Sequence, residues 1–284
     1  MSEHEAQILQ PAHQRTQMEV EQVRERAGVT YLESGDPAAT PILFLHGIGG
    51  AARAFAGQLA HFGARYRALA WNMPGYEGSA PLPLVTMEAL AASLGAFIAA
   101  LSLERPVLVG HSIGGMIVQR LLAEAPHAAR AVVLAQTSAA FGSRDPAWAE
   151  AFISARLGPL DAGRSMADLA PEIIRQSTGD GADPAGLALA QDCMAHVPDS
   201  TYRDMILAMP GFDQRDALAR IAAPTLLLAG SKDQSAPAAG MERMAAKIRT
   251  ARYAVIEGAG HLAYVEQPAR FNAALDAFLD EALR

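Results

Sequence analysis

The chain has 284 residues, a formal net charge of −7 and no long basic run, which argues against a nucleic-acid partner. Hydrophobic residues make up 51% of it and charged residues 19%, as is typical of a globular protein and not of a disordered one. No apolar stretch approaches the roughly 18 residues that a membrane span needs, so we expect no membrane partner.

The first part of the chain predicts a polar tail followed by two strands. Residues 1–15 are polar and unlike a secretory signal, so we expect them to form a tail outside the fold. Strand-like segments follow at residues 18–23 and 29–32, joined by Ala27 and Gly28.

Short apolar runs bounded by turn residues continue along the chain. They cover residues 42–45, 68–71, 107–109, 131–135, 225–229 and 253–256. Runs of this kind are typical of parallel strands that are covered on both faces. Helical patterns separate several of them, at residues 90–101 with Thr86 as N-cap, at 116–125, and after Pro268. This alternation predicts an α/β fold with a mostly parallel central sheet flanked by helices.

Residues 139–216 interrupt the alternation, because they contain no convincing strand. Helical patterns occur instead at residues 147–157, 166–174, 184–196 and 200–209. We interpret residues 139–216 as a helical cap inserted into a core of residues 16–138 and 217–284. The cap would cover the carboxyl edge of the sheet, where open α/β sheets bind their ligands.

The most informative motif is Gly110-His111-Ser112-Ile113-Gly114, which lies between a predicted strand and a predicted helix. A serine at the tip of a sharp strand-to-helix turn is typical of a nucleophile elbow. Ser112 could instead be an ordinary helix N-cap. We predict that it is the nucleophile because a base and an acid stand at matching places in the chain.

A serine hydroxyl needs a base, usually histidine, that is oriented by a carboxylate. His261 follows the last predicted strand on a glycine-rich loop, and Asp233 follows the strand before it. Their order is Ser, Asp, His, as elbow-type hydrolases require. The other carboxylates considered for the acid, which follow no buried strand directly, are Asp213, Asp216 and Glu257.

Acyl transfer also needs backbone donors for the oxyanion that forms on the carbonyl oxygen. We predict that one donor is the N–H of Ile113, directly after the nucleophile. The second would be the N–H of Ile48, on the loop His46-Gly47-Ile48-Gly49-Gly50 after an early strand.

These motifs resemble those of α/β-hydrolase superfamily serine hydrolases with a helical cap, in the carboxylesterase and enol-lactonase branch. The elbow serine separates the chain from the haloalkane dehalogenases and epoxide hydrolases of this fold, which carry aspartate there. The segment from Trp71 to Ser79 resembles the D-x-P-G-x-G-x-S loop of the family with two departures. Asn72 replaces the usual aspartate, and Glu77 replaces the second glycine.

The function that we predict is hydrolysis of a small or medium carboxylic ester or lactone through an acyl-enzyme. Carbon–carbon hydrolases of ring-cleavage products use the same triad, so that reaction stays open, as does a receptor that keeps the fold to bind a small molecule. No cofactor is needed, because an ester carbonyl is already electrophilic. No Cys/His cluster or carboxylate pair has metal-ligand spacing, so we predict no metal.

Five further residues or groups have ordinary structural interpretations. We expect His46 and His111 to be structural, and His196 to pack or face solvent. The methionines of the cap, Met166, Met194, Met205 and Met209, could line a pocket or fill gaps between helices. The single cysteine, Cys193, cannot form an internal disulfide, which favours a reducing cytoplasm.

Overall fold

The computed structural model describes residues 23–142 and 146–284. The predicted tail at residues 1–15 and all but the last residue of the strand predicted at 18–23 lie outside the described residues. In the ranges that are described, no helix has the length and the apolar character needed to cross a membrane.

The described residues form one eight-stranded sheet in the order β1-β2-β4-β3-β5-β6-β7-β8. The strands are β1 (Arg24–Arg26), β2 (Val29–Ser34), β3 (Pro41–Leu45), β4 (Arg67–Trp71), β5 (Val107–His111), β6 (Ala131–Ala135), β7 (Thr225–Gly230) and β8 (Ala251–Ile256). The pairs β1–β2 and β2–β4 are antiparallel, and all other neighbours are parallel. The sequence prediction of a mostly parallel sheet is confirmed.

The central strands are almost entirely apolar because parallel strands covered by helices have no solvent-facing side. Every residue of β5, β6 and β7 is buried. In register, Leu43 of β3 lies opposite Leu108 of β5, and Val109 lies opposite Val133 of β6. At one edge of the sheet, β1 and β2 form a hairpin through Ala27 and Gly28, both with positive φ.

Ten helices are present in the described ranges. They are α1 (Ala56–Phe62), α2 (Met87–Ala100), α3 (Ile113–Glu124), α4 (Pro146–Asp161), α5 (Met166–Ser177), α6 (Pro184–Ala195), α7 (Asp199–Ala208), α8 (Ala238–Ala245), α9 (Ala263–Glu266) and α10 (Pro268–Ala282). Thr86 caps α2 as predicted, since its hydroxyl oxygen accepts from the Ala89 N–H. Helix α3 corrects the prediction of a helix from residue 116, because it begins at Ile113 directly after the elbow serine.

Helices α4 to α7 are inserted between β6 and β7, and we call them the inserted helices. The two ends of this insertion meet at an antiparallel bridge between Ala140 and Asp213. Backbone hydrogen bonds strengthen this closure, from Phe141 N to the Phe212 carbonyl and from Gln214 N to the Ala139 carbonyl. The insertion therefore leaves and re-enters the core at one point.

Candidate active site

Ser112 occupies the sharp turn between β5 and α3. Its backbone has φ 54° and ψ −123°, a conformation that an L-residue adopts only under strain. Local hydrogen bonds hold the turn: the Ser112 N–H donates to the Ala135 carbonyl, and the Thr137 hydroxyl donates to the Ser112 carbonyl at 2.6 Å. The strain is therefore supported by the neighbouring strand β6, and the hydroxyl stands at the amino end of a helix.

The elbow requires glycine on both sides of Ser112 because the backbone is crowded there. A Cβ at Gly114 would lie 2.4 Å from the Leu45 carbonyl oxygen, and one at Gly110 would lie 2.6 Å from the Gly115 Cα. Both distances are too short for any side chain, since neither contact is with a flexible group. The sequence motif thus has a steric cause as well as a chemical one.

The three residues predicted as a triad are in mutual contact. The Nε2 atom of His261 lies 2.9 Å from the Ser112 Oγ, and its Nδ1 atom lies 2.8 Å from an Asp233 carboxylate oxygen. Because a carboxylate only accepts, Nδ1 carries the proton and Nε2 is left to accept from the serine hydroxyl. The other acid candidates, Asp213, Asp216 and Glu257, are exposed.

The Asp233 carboxylate is fully buried and has all its contacts within the site. Its second oxygen accepts from the N–H groups of Ser235 and Ala236, at 2.8 and 3.0 Å. Burial raises the pKa of this carboxyl, but the hydrogen bond from His261 and the two backbone donors outweigh it, so the pKa lies below its usual value. The group is therefore ionised at neutral pH.

The predicted oxyanion donors stand beside the serine. Ile113 is the first residue of α3, and Ile48 lines the cavity above Ser112. Within the described ranges, neither backbone N–H donates to a protein acceptor. The loop that carries Ile48 is fixed by the Tyr76 hydroxyl, which donates to the Ile48 carbonyl at 2.8 Å. Both donors are thus available to an oxygen atom bound near Ser112.

Two buried histidines next to the site bind backbone groups and remain neutral. The Nε2–H of His111 donates to the His261 carbonyl at 2.6 Å, and burial and the neighbouring His261 lower the pKa of His111 to about 3. The Nε2 of His46 accepts from the Met73 N–H, and burial lowers the pKa of His46 to about 4. Both therefore have the structural contacts expected of them.

Asn72 explains one departure of the loop from Trp71 to Ser79. Its side-chain oxygen accepts from the Ala52 N–H at 2.7 Å, while its amide donates to the Thr30 hydroxyl at 2.9 Å. Because an ionised aspartate has no hydrogen to donate, asparagine suits both partners. Glu77, which stands where the family loop has its second glycine, has a positive φ of 42°, and the next residue, Gly78, has a φ of 85°.

A cavity of about 130 Å³ lies over Ser112 and His261. All four inserted helices contribute to its walls: Phe152 and Arg156 of α4, Ile173 and Ile174 of α5, Cys193 and Met194 of α6, Tyr202 and Ile206 of α7. A cavity of this size is close to the roughly 150 Å³ that accommodates benzene, so its walls fit a small, mostly apolar group.

The remaining candidates of the sequence are divided between wall, core and surface. Met194 and Met209 line the cavity, whereas Met166 and Met205 are buried elsewhere. Burial raises the pKa of the Cys193 thiol to about 12, so it remains a thiol. His196 is exposed and pairs with Asp192. In the part of the chain that is described, no group of His, Cys, Asp or Glu residues is arranged to hold a metal ion.

Comparisons with known proteins add the following findings. A family model described as alpha/beta hydrolase fold matches residues 40–268. The chain is 31% identical to polyketide synthase ThaQ of Burkholderia thailandensis over 86% of its own length. It is 29% identical to the dihydrolipoyllysine-residue acetyltransferase component of the acetoin cleaving system of Cupriavidus necator over 88%. It spans only 12% and 66% of these two longer proteins.

A relative of similar length is 3-oxoadipate enol-lactonase 1 of Acinetobacter baylyi, which is 26% identical over 87% of this chain and 91% of the relative. Among solved structures, the enol-lactonase of Burkholderia xenovorans LB400 superposes with a TM-score of 0.80. It shares 24% sequence identity, and the match covers 92% of this chain and 100% of that one. At that identity the structural match supports the fold alone.

Proposed function

The chain belongs to the alpha/beta hydrolase fold family, and we propose that it is a serine hydrolase that cleaves a small or medium carboxylic ester or lactone. The family match confirms the resemblance inferred from the motifs, and with it the prediction of an α/β-hydrolase enzyme. The observation that carries the proposal is the chain of contacts from Asp233 through His261 to Ser112, at 2.8 and 2.9 Å, with Ser112 and His261 lining the cavity.

In the first half of the proposed reaction, the Ser112 oxygen attacks the substrate carbonyl carbon while His261 Nε2 takes the hydroxyl proton. The ionised Asp233 keeps the imidazole in the required tautomer and stabilises the imidazolium. The N–H groups of Ile48 and Ile113 hold the oxyanion. Collapse of the tetrahedral intermediate breaks the C–O bond, and the imidazolium gives its proton to the leaving alkoxide.

In the second half, a water molecule attacks the acyl-enzyme carbonyl and His261 takes one proton from it. The second tetrahedral intermediate expels the Ser112 oxygen, which recovers its proton from His261. The products are a carboxylic acid and an alcohol, or one hydroxy acid or its keto form when the substrate is a lactone. Each step uses only side chains and amides of the chain, so the proposal requires no cofactor.

Two observations support an ester or lactone as substrate. The enol-lactonase relative of similar length acts, by its name, on a lactone, and it is aligned over most of both chains. The cavity is small and mostly apolar, and Ser112 and His261 are among the polar side chains that line it, together with Arg156 and Tyr202 on the inserted helices. We further propose that residues 139–216 act as a cap over this cavity, and that the protein works in the cytoplasm.

The test is turnover by the purified protein of p-nitrophenyl butyrate, a five-membered lactone and a dienoate ring-cleavage product. Ser112→Ala should lower kcat for the ester by about 10⁶-fold, because it removes the nucleophile. Ser93→Ala, the same change on helix α2, is the matched control and should leave kcat unchanged.

Each result of this assay distinguishes between functions. Ester turnover that survives Ser112→Ala would reject the proposed nucleophile. Cleavage of the dienoate alone would indicate a carbon–carbon hydrolase. A single turnover per protein molecule, with ligand retained, would indicate a receptor.

A further inference from the structure

Glu266 is a buried carboxylate that the proposed reaction does not use. It is 1% exposed and lies on the short helix α9, five residues after His261. In the described ranges no lysine, arginine or histidine forms an ion pair with it. A buried carboxylate without a cation is costly unless hydrogen bonds satisfy it, so its contacts require an explanation.

Three backbone N–H groups satisfy Glu266. One carboxylate oxygen accepts from Gly260 at 2.9 Å and from Gly179 at 2.8 Å, and the other accepts from Leu262 at 2.8 Å. Gly260 and Leu262 are the residues immediately before and after His261. The carboxylate therefore clamps the backbone on both sides of the base with charge-assisted hydrogen bonds.

The third donor, Gly179, belongs to the inserted segment and follows α5. Other backbone hydrogen bonds connect the same two segments: the His261 N–H donates to the Ser177 carbonyl at 2.7 Å, and the Asp180 N–H donates to the Gly258 carbonyl at 2.8 Å. The loop that carries the base and the end of α5 are thus one hydrogen-bonded unit, with Glu266 at its centre.

Sterics confirm that the two segments touch without side chains between them. A Cβ at Gly179 would lie 2.0 Å from the Gly258 carbonyl oxygen, and one at Gly260 would lie 2.4 Å from the Ser177 carbonyl oxygen. Any side chain at either glycine would force the inserted segment away from the base loop. Glycine is therefore required on both segments for their backbones to approach this closely.

We propose that Glu266 is a positioning residue for His261 and couples the base to the inserted helices through Gly179. This inference rests on the proposed function, because it assigns His261 the role of base. Displacing the end of α5 would release one of the three donors and one bond to the His261 N–H itself. The imidazole is then correctly placed only while the inserted segment is seated on the base loop.

The isosteric change Glu266→Gln tests the proposal. An amide has one accepting oxygen, so at least one of the three N–H groups would face an NH₂ group and lose its acceptor. A displacement of about 1 Å at a catalytic group costs on the order of 100-fold in rate, so we expect kcat for p-nitrophenyl butyrate to fall about 10- to 100-fold. The KM should change by less than about twofold, because Glu266 does not line the cavity.

The matched control is Glu33→Gln, which alters another buried carboxylate. Glu33 lies on β2, away from the cavity, and pairs with Arg24 of β1 and Arg67 of β4. The Glu33→Gln protein should be less stable in urea, while its folded form keeps the wild-type kcat. Glu266→Asp retains the charge but shortens the side chain by one methylene group. Because the proposed role of Glu266 is geometric, this variant should also have a lower kcat.

NMR of the protein labelled with ¹⁵N at histidine and glycine gives a readout that does not depend on turnover. The Nδ1–H signal of His261, assigned by its loss in His261→Gln, should broaden or shift in Glu266→Gln together with the Gly179 amide signal. Both signals should be unchanged in Glu33→Gln. If the wild-type protein shows no Ser112-dependent turnover, the proposed function fails and the NMR result alone decides the role of Glu266.

Three outcomes would overturn the inference. One is a Glu266→Gln variant with wild-type kcat and an unchanged His261 signal. Another is a loss of kcat in Glu266→Gln that is fully explained by a smaller fraction of folded protein, with the folded fraction measured by urea unfolding for this variant and for Glu33→Gln. The third is a His261 signal that moves while the Gly179 amide does not, which would remove the coupling to the inserted helices.

Discussion

Replacing Asp233 by asparagine separates the shape of the triad from its charge. In the structure one carboxylate oxygen accepts from Ser235 and Ala236, and the other accepts from His261. The carbonyl oxygen of an asparagine would keep the two backbone donors, which leaves its NH₂ group facing His261. That group would donate to Nδ1, and the ring proton would move to Nε2.

A protonated Nε2 at 2.9 Å from the Ser112 hydroxyl cannot take the serine proton. We therefore expect Asp233→Asn to lower kcat by about 10⁴-fold, the size of effect that a wrong tautomer produces in a serine triad. This corresponds to about 5 kcal/mol of transition-state stabilisation. The free energy of unfolding should fall by only about 1–2 kcal/mol, because the backbone donors stay satisfied.

Asp233→Ala should behave differently in stability. It leaves the N–H groups of Ser235 and Ala236 buried without an acceptor, at about 1–3 kcal/mol for each. The assays are steady-state hydrolysis of p-nitrophenyl butyrate and urea unfolding of each variant.

The surface offers a matched control for this prediction. Asp276 contacts His61 at 2.6 Å, an Asp–His pair far from the cavity, so Asp276→Asn should leave kcat unchanged. An Asp233→Asn protein that keeps more than about a tenth of the wild-type kcat would refute the reasoning, since another group would then have to orient His261.

Two further predictions concern stability. Gly114→Ala should destabilise the fold and lower Ser112 reactivity, because the new Cβ would lie 2.4 Å from the Leu45 carbonyl oxygen. Gly57→Ala on helix α1 should instead raise the free energy of unfolding by up to about 1 kcal/mol, because its Cβ would have no atom within 4 Å. Urea unfolding that ranks the two variants in the opposite order would contradict this prediction. Between pH 6.5 and 4 the free energy of unfolding should fall as pH is lowered, because His46 and His111, with pKa values of about 4 and 3, take up protons near pH 6.5 only when unfolded. Stability from these groups is thus fully present above pH 6.5, and His111→Asn should show a shallower slope in that window; an equal slope would exclude His111 as a contributor.

The sheet was predictable because each central strand is an apolar run that is buried on both faces. The six runs from residue 42 onward all became strands, and only their ends moved by one or two residues. The sequence predicted the start of helix α3 too late because Gly114 and Gly115 have low helix propensity, whereas the helix begins at Ile113. Packing against the neighbouring backbone decides that boundary, and a single sequence does not show it.

The contacts among Ser112, Asp233 and His261 followed from the rule that parallel strands end at one edge of a sheet. The clamp of Glu266 did not, because it depends on a segment 87 residues away meeting the base loop. The signal in the sequence was an acid directly after the apolar stretch Leu262 to Val265, which itself follows the histidine. The sequence also did not show which cap methionines line the cavity, because periodicity identifies the apolar face of a helix but not what that face packs against.

The electrostatics of the site favour the charge that the proposed reaction creates. Asp233 and Glu266 are buried carboxylates whose remaining contacts are backbone N–H groups, so neither depends on a cation that would repel an imidazolium at His261. The two neighbouring histidines, His46 and His111, are kept neutral by burial and add no positive charge. In the proposed reaction, proton transfer from Ser112 to His261 forms an ion pair with Asp233, whose hydrogen bonds to His261, Ser235 and Ala236 are already in place.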